Sequence, residues 1–127
     1  MIVDAYGHHH ATGIAALSAV VGWRTYADPD IVRRGCVAPG VITRVAIAEG
    51  GQLAGFAQAC GDGVMQSFLS QLAVAPAWRG QGVARQLVNE VFAASGTARM
   101  DLLTDDAQDF YRSFDHQEKS GFRLYPR

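Results

Sequence analysis

No run in the 127 residues approaches the ~20 consecutive apolar residues that a membrane-spanning helix needs. The opening "MIVDAYGHHH" has no charged segment leading into an apolar one, so no secretory signal is expected either. Cysteine is scarce. Cys36 and Cys60 form no Cys-x-x-Cys pair, which argues against a disulfide framework and reads as two free thiols of a cytoplasmic protein, with a single disulfide as the alternative. An excess of charge is missing too: 11 Lys and Arg against 12 Asp and Glu leave a formal charge of −1. Nucleic acid and anionic membrane surfaces demand a basic field, so neither is an expected partner. Internal repeats and low-complexity linkers are absent, and residues 1–127 read as a single domain.

What is present is enough apolar material for a core, 49 % of residues against 18 % charged. "MIVDAY" reads as a short strand. From Ala11 to Val21, Ile14, Leu17 and Val21 recur at helical spacing. In "DPDIVRRGC", Asp28 is the candidate N-cap and Pro29 the first residue of a second helix ending near Gly35. "VITRVAIAE" and "QLAGFAQAC" are β-rich runs joined by Gly50-Gly51, a hairpin signal. Gly55 inside the second run marks a bulge or bend. After Gly61-Asp62-Gly63, "VMQSFLSQLAV" completes an antiparallel meander. A helix follows, with Val83, Leu87, Val88, Val91 and Phe92 as its apolar stripe and Gly96 as its stop. "ARMDLLT" reads as a strand centred on Leu102 and Leu103. "DDAQDFYRSF" reads as a short helix capped by Asp105 or Asp106, and "FRLY" as a last strand. That order predicts an α/β (α+β) fold, a mixed sheet with helices on its faces.

Between the third strand of the meander and the long helix lies "WRGQGVA". A glycine-bearing loop that opens a helix turns several backbone N–H groups one way and makes an anion site, usually for phosphate. Gly80 and Gly82 tolerate backbone angles that a side chain forbids and admit a ligand close to the main chain. The loop lacks the Gly-Lys-Ser/Thr ending of a nucleotide P-loop. It also lacks the three glycines of a dinucleotide fingerprint. Arg79, Gly82 and Ala84 do fit Arg-x-x-Gly-x-Ala.

With those residues, "LAVAPAWRGQGVARQLV" resembles the GCN5-related N-acetyltransferases, whose motif is Gln/Arg-x-x-Gly-x-Gly/Ala. The resemblance extends from residue 41 to residue 127, about two-thirds of the chain. It implies the fold of that family, a mostly antiparallel central sheet with helices on both faces, and acetyl-coenzyme A as co-substrate without a metal. The amides of Arg79, Gly80, Gln81, Gly82, Val83 and Ala84 would hold the pyrophosphate. The backbone of Leu72, Ala73 and Val74 would pair with the pantetheine arm where the strand splays, with the Leu72 amide facing the thioester oxygen. Tyr111 stands where the family often carries its general acid, with Phe110 packing beside the arm. Trp23 and Tyr26 fall in the region that lines the family's acceptor pocket, where an aromatic wall suits a cationic amine.

The sequence singles out no general base. Asp28, Glu49 and Asp62 read as capping or surface carboxylates, and Gln71 stands where related sequences can carry an acid. His8, His9 and His10 are consecutive and point different ways, a poor metal set. One departure from the family is local: Tyr111 is followed by Asp115-His116 where Tyr-x-x-x-Gly-Phe is common, and Gly121-Phe122 comes later. The chain is also short for the family, so its sheet is expected to lack a strand or to borrow one from a second copy, and an exposed edge strand favours a homodimer. The expected activity is N-acetylation of a primary amine on a small molecule or peptide. The alternative is a non-catalytic module that binds or senses acyl-coenzyme A.

Overall fold

A computed structural model describes residues 1–127. Strand β1 (Ile2–Ala5) leads into helices α1 (Ala11–Val20) and α2 (Pro29–Gly35). Strands β2 (Val41–Ile47), β3 (Leu53–Gly61) and β4 (Gln66–Val74) form the meander. Helix α3 (Val83–Ser95), strand β5 (Arg99–Asp101) and helix α4 (Gln108–Arg112) complete the order. The sheet runs β1-β2-β3-β4-β5 and is antiparallel except for the parallel β4–β5 pair. No helix is long and apolar enough to cross a membrane.

Local chemistry explains most of these boundaries. The Asp28 side chain accepts the Asp30 N–H at 2.9 Å and Pro29 occupies the first turn, so α2 starts where its cap dictates. Asp62 Oδ1 gathers the N–H groups of Val64, Met65 and Gln66 at 2.8, 2.8 and 3.3 Å, which folds the turn into β4. Gly96 closes α3 in the left-handed conformation.

Each sheet face carries its own apolar cluster. Helices α1 and α2 and the turn between them cover one, through Ile14, Leu17, Val32 and the turn residue Tyr26 against Val45, Phe56 and Ala73. Helix α3 covers the other through Val83, Leu87, Val88 and Val91 against Ala46, Ala54, Ala57 and Ala59, small residues that let a helix approach closely. A buried polar group braces the first face. Gln58 accepts from the Tyr26 hydroxyl at 2.8 Å and donates to Thr43 Oγ1 at 3.0 Å and to Cys36 Sγ at 3.4 Å.

Two bulges break the alternation of side chains. In β3 the extra residue is Ala54: Ala46 pairs with Gly55 but Ile47 with Leu53. Consequently Leu53 packs on the α1 side, whereas Ala54 turns to the α3 side. The irregularity expected at Gly55 therefore lies beside it. In β4 the extra residue is Ser70, since Gln58 pairs with Gln71 but Ala59 with Leu69. The Ser70 hydroxyl donates to the Gln58 carbonyl at 3.1 Å.

Several expectations are corrected. Neither Asp105 nor Asp106 caps α4, which starts from Ala107 without a side-chain cap; the Thr104 hydroxyl accepts the Ala107 N–H at 3.0 Å and folds the turn before the helix. Strand β5 ends at Asp101, before Leu102 and Leu103. Phe92 is 37 % exposed, because the stripe that packs on the sheet is filled by Leu87, Val88 and Val91. "FRLY" forms no strand. The cysteines, by contrast, are the two free thiols expected, Cys36 buried and Cys60 exposed.

Candidate active site

Strand β4 is paired along one edge and open along half of the other. It meets β5 only over Gln66, Ser67 and Phe68, and the Ser70 bulge follows at once. A bulge bends its strand, so the stretch from Leu69 to Val74 leaves β5 behind and faces a gap. The ladder fixes which backbone groups look into it. The Ala75 N–H donates to the Ala54 carbonyl at 2.7 Å. Alternation along an antiparallel pair then turns Ala73 toward β3 and Leu72 and Val74 toward the gap. Arg79 Nε reaches the Val74 carbonyl at 3.1 Å, as that orientation requires. Of the three residues expected to meet an extended ligand, Leu72 and Val74 present their polar groups to the gap, whereas Ala73 spends its own on the sheet.

The chain then turns through Pro76–Trp78 into the glycine loop. Gly80 and Gly82 sit at φ +75° and +83°, and no atom lies within 4 Å of where a side chain would start, so the space above both is open. Gly82 caps α3 without any side-chain hydrogen bond. The N–H groups of Gly80, Gln81, Gly82, Val83, Ala84 and Arg85 have no partner in the chain. Arg79 differs, because its N–H goes to the Pro76 carbonyl at 3.4 Å. The free run is therefore displaced by one residue from the expected Arg79–Ala84. Gln81 sends its side chain back to the Ala77 carbonyl at 3.4 Å and contributes by its backbone.

Beside this run lies a hollow of about 300 Å³ lined by Val74, Trp78, Arg79, the loop glycines, Val83–Arg85 and Phe110. A pyrophosphate needs unpartnered donors, room and positive charge. The loop amides, the space above the glycines and two guanidiniums provide them, and no carboxylate lines the hollow. Coenzyme A phosphates fit these residues. Trp78 and Arg85 were not anticipated. Arg85 was within reach of the motif, since it sits one turn of α3 beyond Gly82 and so returns to the loop face.

Helix α4 closes the far side. Phe110, Tyr111 and Phe114 pack edge to face, with ring centres 4.9 and 5.3 Å from Phe110, against the cluster that also holds Leu72, Val74 and Trp78. Arg85 joins α3 to α4: it donates to Ser113 Oγ and lies 4.1 Å above the Phe114 ring. Burial pushes the Tyr111 hydroxyl above its ordinary pKa, and no other group of the chain hydrogen-bonds it. It is a protonated donor with no partner.

Trp23 and Tyr26 belong to the opposite face. Tyr26 is buried, stacked on Phe56 with its hydroxyl held by Gln58, and is a core residue rather than a free aromatic wall. Trp23 is half-buried with its edge on Phe56, at 6.1 Å between ring centres. The carboxylates Asp28 and Asp62 act as caps, and the amides of Val64 and Met65 hold Asp62 below the usual carboxylate range. Glu49 lies exposed in the β2–β3 turn. His10 accepts the Gly7 N–H at 2.9 Å, and burial lowers its pKa.

A family model described as an acetyltransferase (GNAT) domain matches residues 41–118, from β2 past the tyrosine helix. No curated protein matches the sequence. Among solved structures, an acetyltransferase of Trypanosoma brucei aligns at 15 % identity over 98 % of this chain and 99 % of its own, with a TM-score of 0.80. An aminoglycoside N-acetyltransferase in complex with coenzyme A aligns at 21 % identity over 99 % of this chain and 98 % of its own, TM-score 0.77. A GNAT-family acetyltransferase of Streptococcus pneumoniae aligns at 18 % identity over 99 % and 98 %, TM-score 0.78. The expected mixed sheet with helices on both faces is thus the fold observed.

Proposed function

Since the chain belongs to the GNAT acetyltransferase family, as the match over residues 41–118 establishes, we propose that it is an acetyl-coenzyme A-dependent N-acetyltransferase acting on a primary amine of a small molecule or peptide. One observation carries this reading: the unpartnered amides of Gly80–Arg85 begin where the open edge of β4 ends. Phosphates held by the first would lead a pantetheine arm along the second, as an added strand lies along a sheet edge.

Acetyl-coenzyme A supplies an activated acyl group as a thioester. The protein's part is to orient that group and to manage one negative charge and one proton. The neutral amine attacks the thioester carbonyl, forming the C–N bond, and the C–S bond then breaks with its electron pair going to sulfur. The Leu72 N–H, turned into the gap, is our candidate for stabilising the oxygen that becomes negative during attack. Tyr111 is our candidate for protonating the departing sulfur. Burial raises its pKa, so it stays protonated throughout the neutral range and donates there. The proton of the attacking amine leaves through ordered water, since the carboxylates weighed as bases are occupied as caps or lie in exposed turns. The aminoglycoside enzyme solved with coenzyme A supports a small-molecule acceptor.

A thiol-release assay across a panel of primary amines tests this reading. Release above the rate of plain thioester hydrolysis with at least one amine is expected. Tyr111→Phe should lower turnover by about 10² or more, the usual worth of a general acid, while leaving cofactor affinity nearly unchanged. Equal turnover in the variant removes Tyr111 from the acid role. Cofactor binding without amine-dependent release would identify an acyl-coenzyme A sensor instead, the reading favoured by the missing base and the altered segment after Tyr111.

A further inference from the structure

Helix α4 is fastened to the rest of the chain by very little. Its backbone hydrogen bonds stay within residues 107–114, and none reaches the sheet or α3. Hydrogen bonds that involve side chains of this segment close within residues 104–118, with one exception: Arg85 donates to Ser113 Oγ. Apart from that bond, the helix is held by the rings of Phe110, Tyr111 and Phe114 packed on the α3-side cluster. Spanning only Gln108–Arg112 and lacking a side-chain cap, α4 has no helical stability of its own to draw on. Docking therefore decides where Tyr111 sits.

Arg85 stands between this helix and the glycine loop. It projects from the first turn of α3, lines the hollow beside Gly80 and Gly82, and lies 4.1 Å above the Phe114 ring. Only its Nη2 finds an acceptor in the chain; Nε and Nη1 have none, and no carboxylate pairs with the guanidinium. Free donors on an exposed cation, next to unpartnered loop amides, suit an anion. The same flat group, stacked on Phe114 and bonded to Ser113, grips α4. A guanidinium can do both at once, because it stacks through its face and donates through its edge.

We propose that Arg85 is a positioning residue that couples occupancy of the glycine loop to the placement of Tyr111. With the loop empty, the exposed guanidinium is held only by Ser113 and Phe114, and α4 loosens and redocks. Phosphates in the loop engage the free donors and order the guanidinium, which then holds Ser113 and Phe114, the residues just beyond Tyr111. Ordering a long side chain costs entropy, and a ligand that has already ordered Arg85 removes that cost from the docking of α4. The candidate acid is thereby fixed when the cofactor is bound. This inference rests on the phosphate assignment of the loop and on the acid role given to Tyr111.

Amide exchange at residues 108–114, read by mass spectrometry with coenzyme A as the probe, tests the coupling without any acceptor. In the wild type, saturating coenzyme A should slow exchange there by about tenfold. Ser113→Ala leaves Arg85 and the loop intact, so it should bind coenzyme A within about threefold of the wild type yet lose most of that protection. Ser113→Thr, which keeps the hydroxyl, should restore it. In turnover, Ser113→Ala should lower kcat by about tenfold with KM for acetyl-coenzyme A nearly unchanged. In a Tyr111→Phe background the same change should cost nothing further, whereas a merely structural serine would cost as much in both. Coenzyme A that binds without slowing exchange in α4 overturns this inference and leaves the cofactor assignment standing. So does full protection in Ser113→Ala, or an equal loss of kcat in the two backgrounds. Failure of coenzyme A to bind the wild type removes the cofactor assignment and this inference together.

Discussion

Replacing Gly82 by aspartate sets a carboxylate at the start of α3, among amides that have no partner in the chain. Two effects follow, and they can be separated. The residue sits at φ +83°, so any side chain there strains the backbone by about 1–2 kcal/mol, a cost to stability that Gly82→Ala shares. The charge effect belongs to aspartate alone. At roughly 5 Å from a phosphate, each pair of like charges repels by about 0.8 kcal/mol at the dielectric constant of water and about 3 kcal/mol at an effective value of 20. Gly82 is exposed, which favours the weaker limit, and a pyrophosphate presents two charges. A loss of roughly 2–4 kcal/mol follows, or about 30- to 1000-fold in Kd. Calorimetric titration with acetyl-coenzyme A would compare wild type, Gly82→Ala and Gly82→Asp at two salt concentrations. The gap between the two variants should narrow at high salt, because the repulsion is screened. A Gly82→Asp affinity within threefold of Gly82→Ala would refute the assignment of the loop to phosphate. Absence of wild-type binding up to about 1 mM, a free energy weaker than about 4 kcal/mol, would undercut both enzyme and sensor readings.

Gly55→Ala should destabilise the fold by about 1–3 kcal/mol, because the new methyl group would lie 2.7 Å from the Ala73 carbonyl oxygen and 3.2 Å from Leu87; an unchanged urea midpoint would contradict the close approach of α3. Gln58→Leu should cost about 1–3 kcal/mol by stranding the Tyr26 hydroxyl, and adding Tyr26→Phe should recover part of that loss. If the double variant is as unstable as the sum of the singles, the hydrogen bond is not the cause. Burial raises the pKa of the Cys36 thiol and of the Tyr26 hydroxyl above their ordinary 9.0 and 10.0, so the unfolded chain releases these protons first as pH climbs. Their contribution to stability is therefore fully present below about pH 9 and lost above it. Thermal melts from pH 7 to 11 should show a level region and then a decline, with Cys36→Ala delaying its onset, and a decline that begins below pH 8 would exclude both groups as its source.

Some of this architecture was legible residue by residue. Asp28-Pro29 announced α2, Gly96 announced the end of α3, and Val83, Leu87, Val88 and Val91 announced the face that packs on the sheet. Each of these signals acts over one or two turns of chain, so it survives without knowledge of the fold. The glycine loop belongs to the same group, because a left-handed backbone and an uncapped helix start depend on Gly80 and Gly82 themselves. Capping of α4 was misread because Asp105 and Asp106 carry capping side chains, whereas the chain starts the helix from Ala107 with no side-chain cap and uses Thr104 only to fold the turn before it.

What remained hidden depends on partners distant in sequence. Nothing in "SFLSQLAV" marks Ser70 as the extra residue; the bulge lets Leu69 and Leu72, three positions apart, both face the α3-side cluster. That bulge opens the gap beside Leu72 and Val74. Aromatic residues posed the same difficulty. Trp23-Arg24-Thr25-Tyr26 reads equally well as pocket or core, and the buried Gln58, 32 positions away, takes the Tyr26 hydroxyl into the core. Arg85 finds Ser113 and Phe114 only once α3 and α4 lie side by side. The sequence by itself determined the glycine loop, its helix and most of the elements around them, because backbone angles and caps are settled by neighbouring residues. Tertiary structure alone decided the open edge of β4, the clamp on α4 and the side of the sheet each aromatic faces, because packing and hydrogen-bond satisfaction are properties of the closed chain.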